Sequence, residues 1–336
     1  MQKDFSFPVA MDLKGQRVLI TGGAGYLATN LIGQLQDTEC RITRLDRPGV
    51  KFMPFRGKSQ VRDIVGDIRN RKVWEKVLVN VDIVFHLAAY EHSHSSEFNP
   101  ILDFEVNALS VLHLLEVCRS RHLYPRVVFA SSSNLIGLPS QLPVNETFPN
   151  NPLTIYAIHK SISEKYLQYY AREFGQRSIV LRLANVYGPV WNVQASVRVV
   201  LNRIICKAVK DRKISVYQNY ACIRDYVWIG DVAAAFLAAA ELGDEYATGQ
   251  YYLIGSGQGH RILDVLGMIA NRVEKRTGKR PVVEEDMNEK LETIEWRNFV
   301  ADTTRFAQAT GWKASVSLEE GIDRTIDYFL SEQGTL

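Results

Sequence analysis

The stretch Arg17-Val18-Leu19-Ile20-Thr21, running directly into Gly22-Gly23-Ala24-Gly25-Tyr26-Leu27-Ala28, decides how this chain is read. Its first five residues are a short β run. The segment 25–36 then carries Leu27, Leu31, Ile32 and Leu35 at helical spacing. Gly22 and Gly25 permit a tight turn and let backbone N–H groups approach a pyrophosphate, while the new helix points its positive dipole end at the same place. Ala28 stands where a small residue lets the helix pack closely on the strand. A glycine pattern alone is weak, but one set between a strand and a helix is considerably stronger.

Asp46 ends the next strand candidate, 24 residues after Gly22. A carboxylate there accepts both hydroxyls of an adenosine ribose and repels the 2′-phosphate of NADP, which favours NAD. Arg47 argues the other way, because a guanidinium can pair with that phosphate. The position of Asp46 at the strand end gives it more weight.

Outward from this unit the alternation continues. Segments 41–46, 61–65, 82–87, 126–130 and 178–183 read as strands, and 71–79, 101–119 and 155–174 as helices. Strands alternating with helices imply right-handed crossovers and parallel pairing, hence an α/β, doubly wound parallel (Rossmann) sheet. Beyond Gly188 the pattern loosens into helices at 194–210, 231–242, 262–277, 303–310 and 318–330, with short strands at 214–217 and 250–254. The expected organisation is an N-terminal extension over 1–14 and a dinucleotide-binding domain over 15–187, to which segments near 225–254 return. A smaller α-rich substrate-binding lobe takes 188–224 and 255–336.

Composition narrows the classes. With 46% hydrophobic residues the 336-residue chain can build ordinary cores, so disordered and collagen-like classes are excluded. Forty basic against 37 acidic residues leave a net charge of +3, and with no long basic run this gives no nucleic-acid footprint. No apolar run reaches the ~18–20 residues of a membrane span, and the first fourteen residues lack the apolar centre of a secretory signal. Cys40, Cys118, Cys206 and Cys222 show no CxxC or Cys/His clustering, which reads as buried, reduced thiols in a cytoplasmic protein without a metal site.

Tyr156 and Lys160 stand four apart at the start of a strongly helical segment, on one face. A tyrosine with its ordinary pKa of ~10 is a poor base at neutral pH. A nearby ammonium favours the phenolate, which can then take a proton from a substrate hydroxyl. Ser132, just after the strand 126–130, can donate a hydrogen bond to the same oxygen.

With these residues in place the chain resembles the extended short-chain dehydrogenase/reductases, specifically their NAD-dependent nucleotide-sugar epimerase/dehydratase family. The resemblance runs from about residue 17 to 329. It is carried by TGGAGYLA (21–28), GDI (66–68), HLAA (86–89), Asn107, FASSSNLIG (129–137), YAIHK (156–160), LRLANVYGP (181–189), RDYVWIGDVA (224–233) and GW (311–312). It implies that Gly22, Gly25, Tyr26, Leu27 and Asp46 hold the cofactor, with Asp67 and Ile68 bordering its adenine. Leu87, Ala88, Ala89 and Asn107 belong to the same cofactor set, Ala88 on the nicotinamide side. Ser132, counted back from Gly137, falls on the catalytic Ser/Thr, Tyr156 is the acid/base, and Lys160 also binds the nicotinamide ribose. Asn185, Arg224 and Arg297 are implied to hold a nucleotide diphosphate, Arg224 above all, since it lies inside a well-matched motif.

Departures from the family pattern narrow the reaction. Relatives that remove water carry Asp-Glu directly after the catalytic Thr. Here Ser133 and Asn134 stand there, on the substrate side, and neither is a useful acid or base near pH 7. His159 replaces the common Ser before the active lysine. The loop 90–96 follows HLAA and is rich in titratable groups, so Glu91, His92 or His94 is a candidate sugar contact or second acid/base.

The resemblance implies an epimerase of a nucleoside-diphosphate sugar acting at C4 with tightly held NAD. A nucleotide-sugar ketoreductase or dehydrogenase and a uronate decarboxylase are the alternatives on the same fold. A non-catalytic NAD-binding protein would lack the Tyr or the Lys. Relatives commonly form homodimers through helices corresponding to 101–119 and 155–174, and Leu112, Leu115, Tyr166, Leu167 and Tyr170 are candidate contacts.

Overall fold

The computed structural model describes residues 13–90, 99–190, 196–286 and 290–331. Its first six strands are β1 (Arg17–Thr21), β2 (Arg41–Asp46), β3 (Gln60–Val65), β4 (Ile83–His86), β5 (Arg126–Ser132) and β6 (Ser178–Leu183). Short strands β7 (Asn185–Tyr187), β8 (Lys213–Val216) and β9 (Ile223–Trp228) follow, then β10 (Thr248–Ile254), β11 (Gly259–Arg261) and β12 (Val282–Glu285). The large sheet has the order β10-β6-β5-β4-β1-β2-β3, every neighbouring pair parallel. It is the doubly wound sheet that the alternation implies.

Side chains alternate across this sheet, as the period of two requires. Val18, Ile20, Ile83, Phe85, Val128, Ile179 and Leu181 pack on one face with helix α1 (Tyr26–Gln34) and the helix Ile229–Glu241. Leu19, Val84, Val127, Phe129 and Val180 pack on the other face. They meet α2 (Arg71–Val77), and, beyond the one-turn α3 (Pro100–Phe104), α4 (Ser110–Ser120) and α5 (Ile155–Phe174). Both faces of the central strands are covered, so β1, β4, β5 and β6 read as near-continuous apolar runs, whereas the edge strand β3 is largely exposed. Each fully buried Leu or Phe contributes about 1.5–3 kcal/mol.

A second core, built from Tyr187, Leu201, Ile205, Trp228, Val265, Ile269, Ile322 and Ile326, underlies the remaining layer. Its strands form a mixed three-stranded sheet, β11-β9-β7, and a parallel pair, β12-β8. β10 lies at the edge of the large sheet, whereas β9 pairs with β7 outside it. No helix among the described residues is long and apolar enough to cross a membrane.

Boundaries follow local chemistry. Helix α5 starts at Ile155 because the extended Thr154 accepts from the Ala157 amide at 3.1 Å, and it stops at Gly175, which takes a left-handed φ of 67°. Where spacing predicts one helix over 101–119, the chain instead forms α3, a π-helical turn at Glu105–Leu109, and α4. In that turn the Ser110 N–H reaches back five residues to the Glu105 carbonyl. The widening lets the Asn107 carbonyl accept the Ser163 hydroxyl of α5, a tertiary contact that periodicity does not encode.

Candidate functional site

The carboxyl ends of β1, β2, β4, β5 and β6 lie along one edge of the sheet, because these strands pair in parallel with Thr21 opposite His86 and Leu45, and Ser132 opposite Leu183. Winding reverses direction between β1 and β4, which is where open α/β sheets bind ligands. The glycine loop occupies that crevice. Gly22 has φ +66°, and a Cβ on it would lie 2.9 Å from the Ala88 Cα, so only glycine lets the loop abut the strip after β4. Gly25 caps α1 with no side-chain bond, and the first turn of α1 holds no acidic residue. First-turn N–H groups, including those of Tyr26 and Leu27, have no acceptor inside the helix. They form an open anion cradle at its positive end.

Asp46 stands beside this loop. Its Oδ2 accepts the Ala24 amide at 3.0 Å and its Oδ1 the Arg47 amide at 2.8 Å. The bonds fix the carboxylate at the strand end and leave acceptor capacity for a pair of ribose hydroxyls. Asp67 is tied to Arg69 by a short ion pair, N···O 2.6 Å, and the bond holds its carboxyl below the usual range. Arg69 also reaches Glu105 at 3.0 Å, so Asp67 and the buried Ile68 are braced against the π turn. Behind the crevice, the Thr21 hydroxyl lies 3.2 Å from the amides of Leu87 and Ala88 and 2.7 Å from His86 Nδ1. Asn107 does not open toward the crevice: its amide is spent on both backbone groups of Tyr90 and on Asp103, which shapes the Leu87–Ala89 strip from behind.

Ser132, Tyr156 and Lys160 converge from β5 and α5. The Lys160 side chain is 1% exposed; its ammonium donates to the Ala130 carbonyl at 2.9 Å and sits 5.7 Å from the Tyr156 ring centroid. A buried cation beside a phenol is the arrangement that favours phenolate. Ser132 Oγ accepts the Asn134 amide at 3.2 Å, which leaves its own hydrogen to donate. Asn134 is half-buried, and the Ser133 hydroxyl is buried with no partner among the described residues. Beneath them Glu164 accepts two bonds from the fully buried Arg182, at 2.9 and 2.6 Å, and one from Ser131. This inter-element pair, which sequence spacing does not announce, locks α5 to β5 and β6.

The two arginines have different surroundings. Arg224 points its guanidinium at backbone carbonyls, donating to Glu295 O at 2.6 Å and to Arg297 O. Asn219 holds the same turn through Glu295 O at 2.9 Å. Arg297 is 5% exposed, and its Nη1 has no hydrogen-bond partner among the described residues. Burial, and the charge of Arg224, push its pKa down to about 9. Arg224 is thus engaged with the turn at 295–297, whereas Arg297 is buried with an unpartnered N–H among the described residues. Asn185, half-buried, donates to Asp225 O at 3.1 Å and tethers β7 to β9. Glu91, His92 and His94 lie outside the described residues.

Comparison with known proteins identifies a family and related structures. The family described as "NAD dependent epimerase/dehydratase" matches residues 18–255. A UDP-glucose 4-epimerase of Mycolicibacterium smegmatis is 27% identical over 93% of this chain and 98% of its own. A dTDP-4-dehydro-6-deoxyglucose reductase of Escherichia coli is 26% identical over 94% and 98%. The crystal structure of Thermus thermophilus UDP-glucose 4-epimerase in complex with NAD superimposes with a TM-score of 0.76, at 31% identity, covering 94% of this chain and all of that one.

Proposed function

This chain belongs to the NAD dependent epimerase/dehydratase family, and we propose that it is an NAD-dependent epimerase of a nucleoside-diphosphate sugar, acting at C4. The observation that carries the substrate class is Arg297: a buried guanidinium with an orphaned N–H and no acidic partner among the described residues. An uncompensated buried charge costs several kcal/mol, and a diphosphate supplies the missing anion.

The glycine loop fits NAD. An uncapped helix N-terminus faces the crevice, and Asp46 is held where ribose hydroxyls would lie. Gly22, Gly25, Tyr26, Leu27 and Asp46 would hold the dinucleotide, with Asp67, Ile68 and Leu87–Ala89 along its length. When bound, NAD supplies the acceptor and later the donor of a hydride.

The chain's own residues do the rest. Tyr156 removes the proton of the sugar hydroxyl, helped by the adjacent Lys160 charge, and returns it after inversion. Ser132 donates to the reacting oxygen, which stabilises charge as it develops there. Arg297, set by Arg224 and Asn219, anchors the diphosphate so that the neutral keto sugar stays at high effective concentration while it turns over. Ser133 and Asn134 offer no acid–base pair for loss of water, which disfavours dehydration.

The likeness to a reductase keeps one rival on the same scaffold, a net ketoreductase. The purified protein, assayed for bound NAD and incubated with nucleotide sugars without added reductant, should interconvert epimers. Turnover that requires stoichiometric NAD(P)H would instead establish the reductase. Free, buried Cys40, Cys118, Cys206 and Cys222 support a cytoplasmic enzyme.

We further propose a homodimer through α5 and the helical stretch 101–119. Leu115, Leu167 and Tyr170 are buried within the monomer, so they are not the contacts. Exposed Ile155, Ile158 and Tyr169 on α5, with Ile101 and Phe104 on α3, leave apolar surface for a partner copy. Light scattering should show a dimer that Ile158→Glu dissociates; an unchanged mass would refute this face.

A further inference from the structure

His159 lies on α5 between Tyr156 and Lys160, and its Nδ1 is 2.6 Å from Asp103 Oδ1, on a fully buried carboxylate from α3. The same oxygen accepts Asn107 Nδ2 at 2.9 Å. Asn107, in the π turn, brackets Tyr90: Nδ2 donates to its carbonyl at 2.7 Å, and Oδ1 accepts its amide at 3.1 Å. Three side chains thus join the helix of Tyr156 and Lys160 to the backbone directly after Leu87–Ala89.

With Asp103 as a carboxylate, the donors and acceptors in this relay have one assignment. Asp103 Oδ1 is an acceptor, so His159 carries a hydrogen on Nδ1. Asp103 Oδ2 has no partner among the described residues, so the whole carboxylate depends on the bonds at Oδ1. Deleting the imidazole donor would leave a buried carboxylate held by one amide hydrogen, and the carboxylate would seek water or another donor. Asn107 would then lose the anchor that fixes which way its amide points. The Ser163 hydroxyl still holds the Asn107 carbonyl, but it does not orient the side chain.

We propose that His159 is a positioning residue: through Asp103 and Asn107 it sets the Leu87–Tyr90 strip relative to Tyr156 and Lys160. For its effect on turnover this rests on the epimerase reading; the structural coupling stands apart from it.

The test uses the full chain and three variants. His159→Ala removes ring and donor, His159→Phe keeps ring volume without a donor, and His159→Asn places an amide donor near the site of Nδ1. Hydrogen exchange at the Tyr90 amide reads the coupling directly. The Ala and Phe variants should exchange there about tenfold faster or more, with kcat lowered about tenfold and KM little changed, since slight misplacement at a reacting centre slows the chemical step. The Asn variant should restore both. Should the Ala variant not fold, the Phe variant decides. Wild-type exchange at Tyr90 in the Phe variant would overturn the proposal and leave His159 as packing. Faster exchange in a protein that turns over no nucleotide sugar would fault the enzymatic reading and leave the coupling standing.

Discussion

Replacing Arg297 by methionine should make the ligand-free protein more stable and the nucleotide-bound protein weaker. The guanidinium's pKa falls from 12.5 to about 9 through burial and the Arg224 charge. At about 1.4 kcal/mol per pH unit, the fold disfavours the charged form by about 5 kcal/mol. A cation with a lowered folded pKa carries this penalty in full below about pH 9, and sheds it only as pH rises toward 12.5, so at pH 7 all of it applies. The Phe299 ring, 5.2 Å from the Arg297 guanidinium carbon, offsets part of it. Methionine keeps the chain length without the charge, and a net gain of about 1–3 kcal/mol in urea denaturation is expected. The backbone carbonyl that holds Arg224 is unaffected. Binding of UDP, measured by calorimetry, should weaken about 10- to 100-fold through loss of charge-assisted bonds. Saturating UDP should stabilise the wild type by about 2.7 kcal/mol at a hundredfold excess over Kd, and the variant far less at the same concentration. A variant that is less stable without ligand, yet binds UDP like the wild type, would refute the reasoning.

Other expectations concern the rest of the site. Tyr156→Phe should lower kcat about 10²- to 10⁴-fold with KM nearly unchanged, and near-normal turnover would remove Tyr156 from the chemistry. Arg182→Leu leaves Glu164 charged and buried and should cost about 3–5 kcal/mol in chemical denaturation; a loss under about 1 kcal/mol would show that the pair is dispensable. His86 is held neutral, its pKa lowered to about 3 by burial and by the Lys160 charge. Its unfolded form takes up a proton near pH 6.5, so stability falls as pH drops from about 6.5 toward 3, by up to about 5 kcal/mol. In His86→Phe that acid slope should shrink by about one proton, and an unaltered slope would contradict the assignment.

How much of this was legible beforehand follows from the range of each interaction. β1, β4, β5 and β6 are visible because buried central strands are apolar nearly throughout, and α5 is visible at both ends because Thr154 and Gly175 are local signals. Helix spacing did not show the π turn, because Asn107 is drawn out of register by Tyr90 and Ser163, 17 and 56 residues away. β9 escaped for the same reason: it pairs with β7, across some 40 residues of chain, with no hairpin turn between. The motifs located both arginines but ranked them by neighbouring letters. Their different surroundings depend on where the turn at 295–297 places its carbonyls, and that is known only once β9 and the turn are brought together. Asp103 carried no signal at all, since its partner His159 lies 56 positions later.

The central claim is inversion of a tethered nucleotide sugar without net redox. Its most direct test is NMR of the products formed when the purified protein, carrying only its own bound NAD, meets a panel of nucleoside-diphosphate hexoses. The account predicts a mixture of the C4 epimers at equilibrium from either starting epimer, with no reductant consumed. Unchanged sugars, or product formed only in step with added NAD(P)H, would contradict it.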